Sequence, residues 1–209
     1  MKGKRILITC GPTWVAIDPV RVFSNISTGA LGQTLAKKLS SLGTRITLLE
    51  GPVVQPLKHR EIRIRKFRFF SELQELLKAE LLSGQFVGLL HTAAVADFQL
   101  PQKKSQKMDS TRSVRLKLVP TEKLINSIRR LAPKIFLVGF KLEPGLNRTK
   151  ALRAAKELFK KAKCNLVVAN SVTNKSYNAW IIRDDRILAQ AHSRSQLAQK
   201  LIQQLKKNL

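Results

Sequence analysis

The chain has 209 residues, with 39 Lys and Arg against 13 Asp and Glu for a formal net charge of +26, and 44% of its residues are hydrophobic. This length suits one sizeable α/β domain, and the hydrophobic share excludes a largely disordered chain. The positive excess attracts polyanions and predicts nonspecific affinity for them, yet no zinc-finger, helix-turn-helix or aromatic RNA-binding signature accompanies it.

Met1-Lys-Gly-Lys-Arg5 leads directly into Ile6-Leu-Ile-Thr9, an apolar run that reads as a buried strand over 4–10 and not as a signal peptide. No apolar run approaches the roughly 18 residues of a membrane span, so no membrane association and a cytoplasmic location are expected. Next comes a long loop, Asp18-Pro-Val-Arg21 to Asn25-Ile-Ser27-Thr28-Gly29. Leu31, Leu35, Ala36, Leu39 and Leu42 then repeat at helical spacing over 29–42. Strand, small-residue loop and helix N-terminus together make an anion site, because free N–H groups and the positive dipole end converge there. Gly29 and Gly32 are expected to let a phosphate or carboxylate approach the backbone.

Further strands are predicted at 45–50, 62–68, 86–90, 113–118, 135–139 and 165–169, and further helices at 71–83, 121–131, 148–163 and 193–207. Ser71 with Glu72 and Glu75, and Ser193 with Gln196, read as helix N-caps. Residues 179–183 and 186–190 flank Asp184-Asp185 as a hairpin pair. The basic block from His59 to Phe70 reads either as a polyanion contact or as a solvated edge strand with its apolar face inward. The segment 99–112 is polar and without period, and is expected to be a flexible loop. Alternation of strand and helix predicts an α/β, Rossmann-like, mostly parallel sheet with helices on both faces plus a C-terminal β-hairpin, in one domain over 1–209.

In such a sheet ligands bind beyond the carboxyl ends of the strands. Four strand ends carry small or polar residues: Thr9 to Thr13, His91 to Phe98, Gly139 to Glu143, and Asn170-Ser171. Their convergence on one site is the main functional expectation. Asp97 either accepts hydrogen bonds from a base or ribose or caps a turn. His91 reads as a strand-end polar residue. Asn25 either donates to an acyl oxygen or forms an Asx turn, and Lys107 either reaches a triphosphate or is solvated. Cys10 and Cys164 read as buried free thiols. Neither a metal-ligand spacing nor a nucleophile–base pair is evident, and no metal ligand is assigned.

Taken in order, Leu7 to Thr13, Ile17 to Arg21, Ser24 to Gly29 with Gly32, Leu49 to Pro52, Ala93 to Phe98, Val138 to Phe140 with Glu143, and Asn165 to Asn170 make the chain resemble the phosphopantothenate–cysteine ligase (phosphopantothenoylcysteine synthetase) family of coenzyme A biosynthesis. The resemblance covers nearly the whole chain. It implies a homodimer that joins 4′-phosphopantothenate to cysteine. CTP activates the acid as an acyl cytidylate, with Mg²⁺ and without flavin, and ATP is the alternative nucleotide. By the same resemblance Asn25 handles the acyl intermediate and Lys107 works on the triphosphate. Ala93, Ala94, Val95, Asp97 and Phe140 surround the cytidine, Lys156 and Lys160 stand for the paired nucleotide lysines, and Ser27, Thr28, Gly29 and Gly32 hold substrate. The chain opens at the ligase's first strand, so a separate decarboxylase is expected to take the product. Departures are visible: Lys107-Met-Asp-Ser110 keeps only the first lysine of the family's loop motif, and Glu122-Lys-Leu-Ile125 replaces its nucleotide motif. A basic nucleic-acid-associated protein and a degenerate nucleotide-binding paralogue are the alternative readings.

Overall fold

A computed structural model describes residues 1–102, 105–173 and 176–209. Its elements run β1 (Arg5–Cys10), β2 (Trp14–Ala16), β3 (Val22–Ser24), α1 (Ala30–Ser40), β4 (Arg45–Glu50), β5 (Ile62–Lys66), α2 (Phe70–Leu82), β6 (Gly88–His91), β7 (Phe98–Gln99), β8 (Val119–Pro120), α3 (Leu124–Leu131), β9 (Phe136–Leu142), α4 (Arg148–Ala162), β10 (Leu166–Val172), β11 (Tyr177–Arg183), β12 (Arg186–Ala191) and α5 (Arg194–Asn208).

Alternation along the strands decides how they are covered. Ile6, Ile8 and Cys10 of β1 face one layer, with Leu35 and Leu39 of α1 and Leu201 and Leu205 of α5. Leu7 of the same strand faces the other layer, with Leu73 and Leu77 of α2, Ile128 of α3 and Ala155 of α4. Successive side chains of a strand point to opposite faces, so a strand apolar at every position must be covered on both. Each fully buried Leu or Ile contributes about 2 kcal/mol to holding those layers together.

The sheet has eight strands in the order β12-β11-β10-β9-β6-β1-β4-β5. From β5 through β10 neighbours are parallel, and β11 and β12 add an antiparallel hairpin at one edge. The expected Rossmann-like sheet with its C-terminal hairpin is therefore present. Asp184 takes the positive φ of 54° that the hairpin turn requires, which a short polar side chain tolerates. The chain moves outward from β1 to β4 and β5, then returns to place β6 on the other side of β1. That reversal is a topological switch point, and it opens a crevice between the ends of β1 and β6.

Several local expectations are corrected. Residues 113–118 form no strand, and Val114, Leu116 and Leu118 are exposed. Their alternation meets no sheet edge or packed layer, and a period-2 pattern without a partner does not make a strand. The stretch read wholly as loop after β1 contains the short hairpin β2–β3, pairing Trp14 with Ser24 and Ala16 with Val22. Ser71 lies inside α2. Glu72 folds back to accept from the Arg68 and Phe69 N–H groups, which moves the helix start earlier. Ser193 does cap α5, accepting from the Gln196 N–H at 3.1 Å. Helix α3 starts at Leu124 because Thr121 is engaged elsewhere, its N–H on the Asp97 carbonyl and its hydroxyl on the Ala96 carbonyl. Within the expected loop 99–112, residues 103 and 104 lie outside the described residues.

Within the block from His59 to Phe70, Ile62–Lys66 forms the edge strand β5, and Phe70 opens α2. Arg63 and Arg65 of β5 both pair with the buried Glu80 of α2, and Lys66 pairs with the buried Glu50. A carboxylate buried at an edge needs such partners, so these cations are committed to the fold.

Candidate active site

The β1 and β6 tips are laced together by backbone and hydroxyl bonds. The Ala94 N–H donates to the Gly11 carbonyl at 2.9 Å, and the Thr13 N–H donates to the Ala94 carbonyl at 3.2 Å. Thr9 Oγ1 accepts from the Ala93 N–H at 3.2 Å, and Thr13 Oγ1 from the Ala96 N–H at 2.9 Å. Both threonines are buried, which strengthens each bond by excluding competing water. The 93–96 turn is thereby held rigidly beside the first loop.

A cleft of about 620 Å³ opens over this turn. Its floor is His91 and Ala93 to Asp97, one wall is the approach to α3 and its first turn from Thr121 to Asn126, and the other carries Phe140, Lys141 and Asn170. Asn25, Ile26 and Ser27 close it from the loop after β3. The β6, β9 and β10 tips thus meet there, and the β1 tip supports the floor through Thr9 and Thr13. Asn25 is fastened in place: Nδ2 donates to the Val95 carbonyl at 3.1 Å and lies 3.4 Å from the Ala94 carbonyl. The Asp97 carboxylate is exposed and pairs with Lys123 at the start of α3, a contact that replaces the turn-cap alternative.

His91 is buried, and its Nδ1 lies 2.9 Å from Thr9 Oγ1. Burial pulls its pKa down to about 4, so the ring is neutral at pH 7. Burial also pushes the Cys164 thiol up to about 12 and the Cys10 thiol strongly upward. Both thiols are thus poor nucleophiles at neutral pH.

Both glycines are closely packed on the side where a Cβ would stand. A Cβ on Gly32 would stand 2.4 Å from the Cys10 Cβ and 2.7 Å from Thr92 Oγ1. Gly32 therefore lets α1 lie against the β1 and β6 tips, and that face of it offers no room for a ligand. Gly29 caps α1 at a φ of 70°, with Val53 filling the space of its missing Cβ. The Ser27 and Thr28 hydroxyls reach the Gly29 and Ala30 N–H groups at 3.4 Å, long contacts at the mouth of the helix.

Two sequence-predicted groups stand off the cleft. Lys156 and Lys160 lie on the exposed side of α4, and the cleft instead meets Glu157 and Lys161, an ion pair at 2.7 Å. A spacing of four fixes a helix stripe but not which stripe faces a given cleft. Lys107 borders a separate depression with Ser105, Arg112 and Arg115. Glu122 to Ile125, which stand where the resembled family has its nucleotide motif, do line the cleft, although they carry no phosphate-loop or metal signature of their own.

Met108, next to Lys107, meets the first hairpin. Its N–H donates to Asp18 Oδ2 at 3.1 Å, and its carbonyl accepts from Arg21 Nη1 at 3.0 Å. Burial works to raise the Asp18 pKa, but N–H donors from Met108, Val20 and Arg21 and the Arg21 guanidinium overcome it and hold the group at about 2. Among the described residues no group of three or more His, Cys, Asp or Glu is placed to hold a metal ion.

The sequence profile of the DNA/pantothenate metabolism flavoprotein C-terminal domain matches residues 1–209. The coenzyme A biosynthesis bifunctional protein CoaBC of Thermococcus kodakarensis is 34% identical over 173 residues, which cover 82% of this chain and 42% of that protein. The chain spans about half the length of the curated relatives it matches. The crystal structure of the DNA/pantothenate metabolism flavoprotein from Streptococcus pneumoniae superposes with a TM-score of 0.87 at 24% identity, covering 99% of this chain and 100% of that one. A Cab2 mutant in complex with phosphopantothenate-cysteine superposes with a TM-score of 0.79 at 17% identity, covering 98% of this chain and 87% of that one. At these identities the two structures establish likeness of fold.

Proposed function

The chain belongs to the DNA/pantothenate metabolism flavoprotein C-terminal domain family, and from that premise we propose that it joins 4′-phosphopantothenate to cysteine through an acyl cytidylate formed with CTP. The observation that carries this reading is the cleft at the β1/β6 switch point, where Asn25, the 93–97 turn, Phe140 and Asn170 meet. Relatives named for coenzyme A biosynthesis, and a fold neighbour holding phosphopantothenate-cysteine, support it.

A carboxylate is a poor electrophile. Its oxygen attacks the α-phosphorus of the nucleotide, pyrophosphate leaves, and the acyl carbon now carries a good leaving group. The cysteine amine then attacks that carbon, CMP departs and a proton is released. In this scheme Phe140 offers an aromatic face for the base, and Asp97 accepts hydrogen bonds from amino or hydroxyl groups. The Asn25 amide stands beside the 94–95 carbonyls, where it orients the acyl group. Lys107 supplies a flexible positive charge for the phosphates, and the high net charge draws anionic substrates inward.

Mg²⁺ is expected to travel with the triphosphate, since Mg²⁺ commonly binds through substrate phosphates. The described residues provide no carboxylate cluster of their own for it. A homodimer, a decarboxylase acting on the product, and a cytoplasmic location complete the proposal.

The test is incubation with 4′-phosphopantothenate, cysteine and either CTP or ATP, following pyrophosphate and the amide product. CTP-dependent release of both supports the reading. ATP in place of CTP corrects the nucleotide, and salt-resistant RNA binding without pyrophosphate overturns the ligase in favour of a nucleic-acid-associated protein.

A further inference from the structure

We propose that Asp18 and Arg21 are positioning residues that set where Lys107 stands, by gripping both backbone polar groups of its neighbour Met108. The inference rests on the reading above in giving Lys107 work to do at the nucleotide phosphates.

The grip is a matched pair of contacts. One residue's backbone needs an acceptor for its N–H and a donor for its carbonyl, and an Asp–Arg pair presents both. The Met108 N–H reaches Asp18 Oδ2 at 3.1 Å, and Arg21 Nη1 reaches the Met108 carbonyl at 3.0 Å while donating to Asp18 Oδ2 at 2.8 Å. The other carboxylate oxygen is fixed by the hairpin tip itself, accepting from the Val20 N–H at 2.9 Å and the Arg21 N–H at 2.8 Å. The Ile17 N–H closes the tip on the Arg21 carbonyl at 2.9 Å. Because the Asp18 side chain is wholly buried, it cannot exchange these donors for water without cost.

The segment after it has little else to hold it. Among the described residues 105–118, hydrogen bonds to described residues outside the segment come from Met108 alone, and both go to this pair. The remaining bonds there are local, between Asp109 and Thr111. A segment fastened at one residue places the neighbouring side chain best, and Lys107 is that neighbour. The hairpin that carries the grip continues through β3 into Asn25. One short element therefore relates the Lys107 segment to the cleft, although Lys107 itself borders a different depression.

A merely structural Asx turn at the hairpin tip would predict something else, and Asp18→Asn separates the two. It keeps one acceptor oxygen for the tip or for Met108 but cannot serve both, since the new NH₂ group opposes an N–H. Met108 amide exchange by NMR and pyrophosphate release are measured in Asp18→Asn, Arg21→Gln, Lys107→Gln and the Asp18→Asn/Lys107→Gln double variant. The expected results are about tenfold faster Met108 exchange, a fall in the rate of pyrophosphate release of about tenfold or more with little change in KM for 4′-phosphopantothenate, and no further loss in the double variant. Arg21→Gln, which leaves the Asp18 turn intact, should show the same pattern. Unchanged Met108 protection in both Asp18→Asn and Arg21→Gln overturns the grip. Losses that multiply in the double variant overturn its action through Lys107. If the unaltered protein releases no pyrophosphate, the ligase reading falls, and Met108 exchange alone decides the grip.

Discussion

The Asn25 side-chain amide donates to the Val95 carbonyl at 3.1 Å, fastening the loop that leaves β3 to the turn that leaves β6. Replacement by Asp puts a carboxylate against two carbonyl oxygens, since the Ala94 carbonyl lies 3.4 Å from the same Nδ2. The loop then swings from the cleft, and the acyl group loses its neighbouring donor. Asn25→Asp is expected to release pyrophosphate near the normal rate while amide formation slows about a hundredfold, as when one donor to a reacting acyl oxygen is removed. Rapid-quench separation of the acyl cytidylate from product measures this, and a normal product yield removes Asn25 from the second step.

Lys107 is exposed and borders a depression with Arg112 and Arg115 rather than the cleft. Its proposed work on the triphosphate is electrostatic, so the charge matters and the length of the side chain matters less. Lys107→Gln is expected to lower acyl-cytidylate formation about a hundredfold or more, the scale set by losing one pre-placed charge on a leaving phosphate. Lys107→Arg should retain a substantial part. Unaltered pyrophosphate release by the Gln variant excludes Lys107 from activation.

His91 fixes a pH dependence whose sign follows from its burial. The ring's pKa is pulled down to about 4 in the folded chain, against roughly 6.5 in an unfolded one. Between those values the unfolded chain binds more protons, so stability is full above about pH 6.5 and is lost as pH falls toward about 4. The group contributes about 3 kcal/mol of that loss, with the Thr9 hydroxyl its hydrogen-bonding neighbour. Urea midpoints taken from pH 7 to pH 4 should fall more steeply for the native sequence than for His91→Asn. Parallel slopes would show that His91 already meets enough water to titrate normally.

Much of this architecture is legible in the residues because burial on both faces leaves a plain mark. Ile6-Leu-Ile8 and the pair Leu48-Leu49 put apolar side chains on both faces of their strands, and only strands covered by helices on both sides need that. The switch point follows from strand order, and strand order is not written in any one segment. It still predicts which tips meet, and the 93–97 turn, Phe140 and Asn170 do meet. Three kinds of feature stay hidden. The β2–β3 hairpin has strands of three residues, too short for any period to register. Val114, Leu116 and Leu118 alternate but are exposed, because a partner decides a strand as much as a pattern does. Lys156 and Lys160 show that spacing on a helix leaves its rotation undetermined. The Asp18 grip on Met108 spans 90 residues, a distance at which no local signal operates.

Gly32 gives the last prediction, and two opposed terms decide it. Ala is the better helix former by about 1 kcal/mol, and Gly32 lies in the first turn of α1, so propensity alone favours Gly32→Ala. Packing opposes it. The new Cβ would stand 2.4 Å from the Cys10 Cβ and 2.7 Å from Thr92 Oγ1, and neither neighbour can swing aside. The Cys10 Cβ is fixed to the β1 backbone, and the Thr92 hydroxyl donates to the Thr9 carbonyl at 2.6 Å. Relief requires α1 to move off the strand tips, at the upper end of the 1–3 kcal/mol typical of overpacking. The clash wins, and a net loss of about 2 kcal/mol is expected in urea unfolding. Because the displaced tips carry the floor of the cleft, nucleotide affinity should fall with it. A variant as stable as the native chain would mean that α1 is less tightly seated against Cys10 and Thr92 than these distances require.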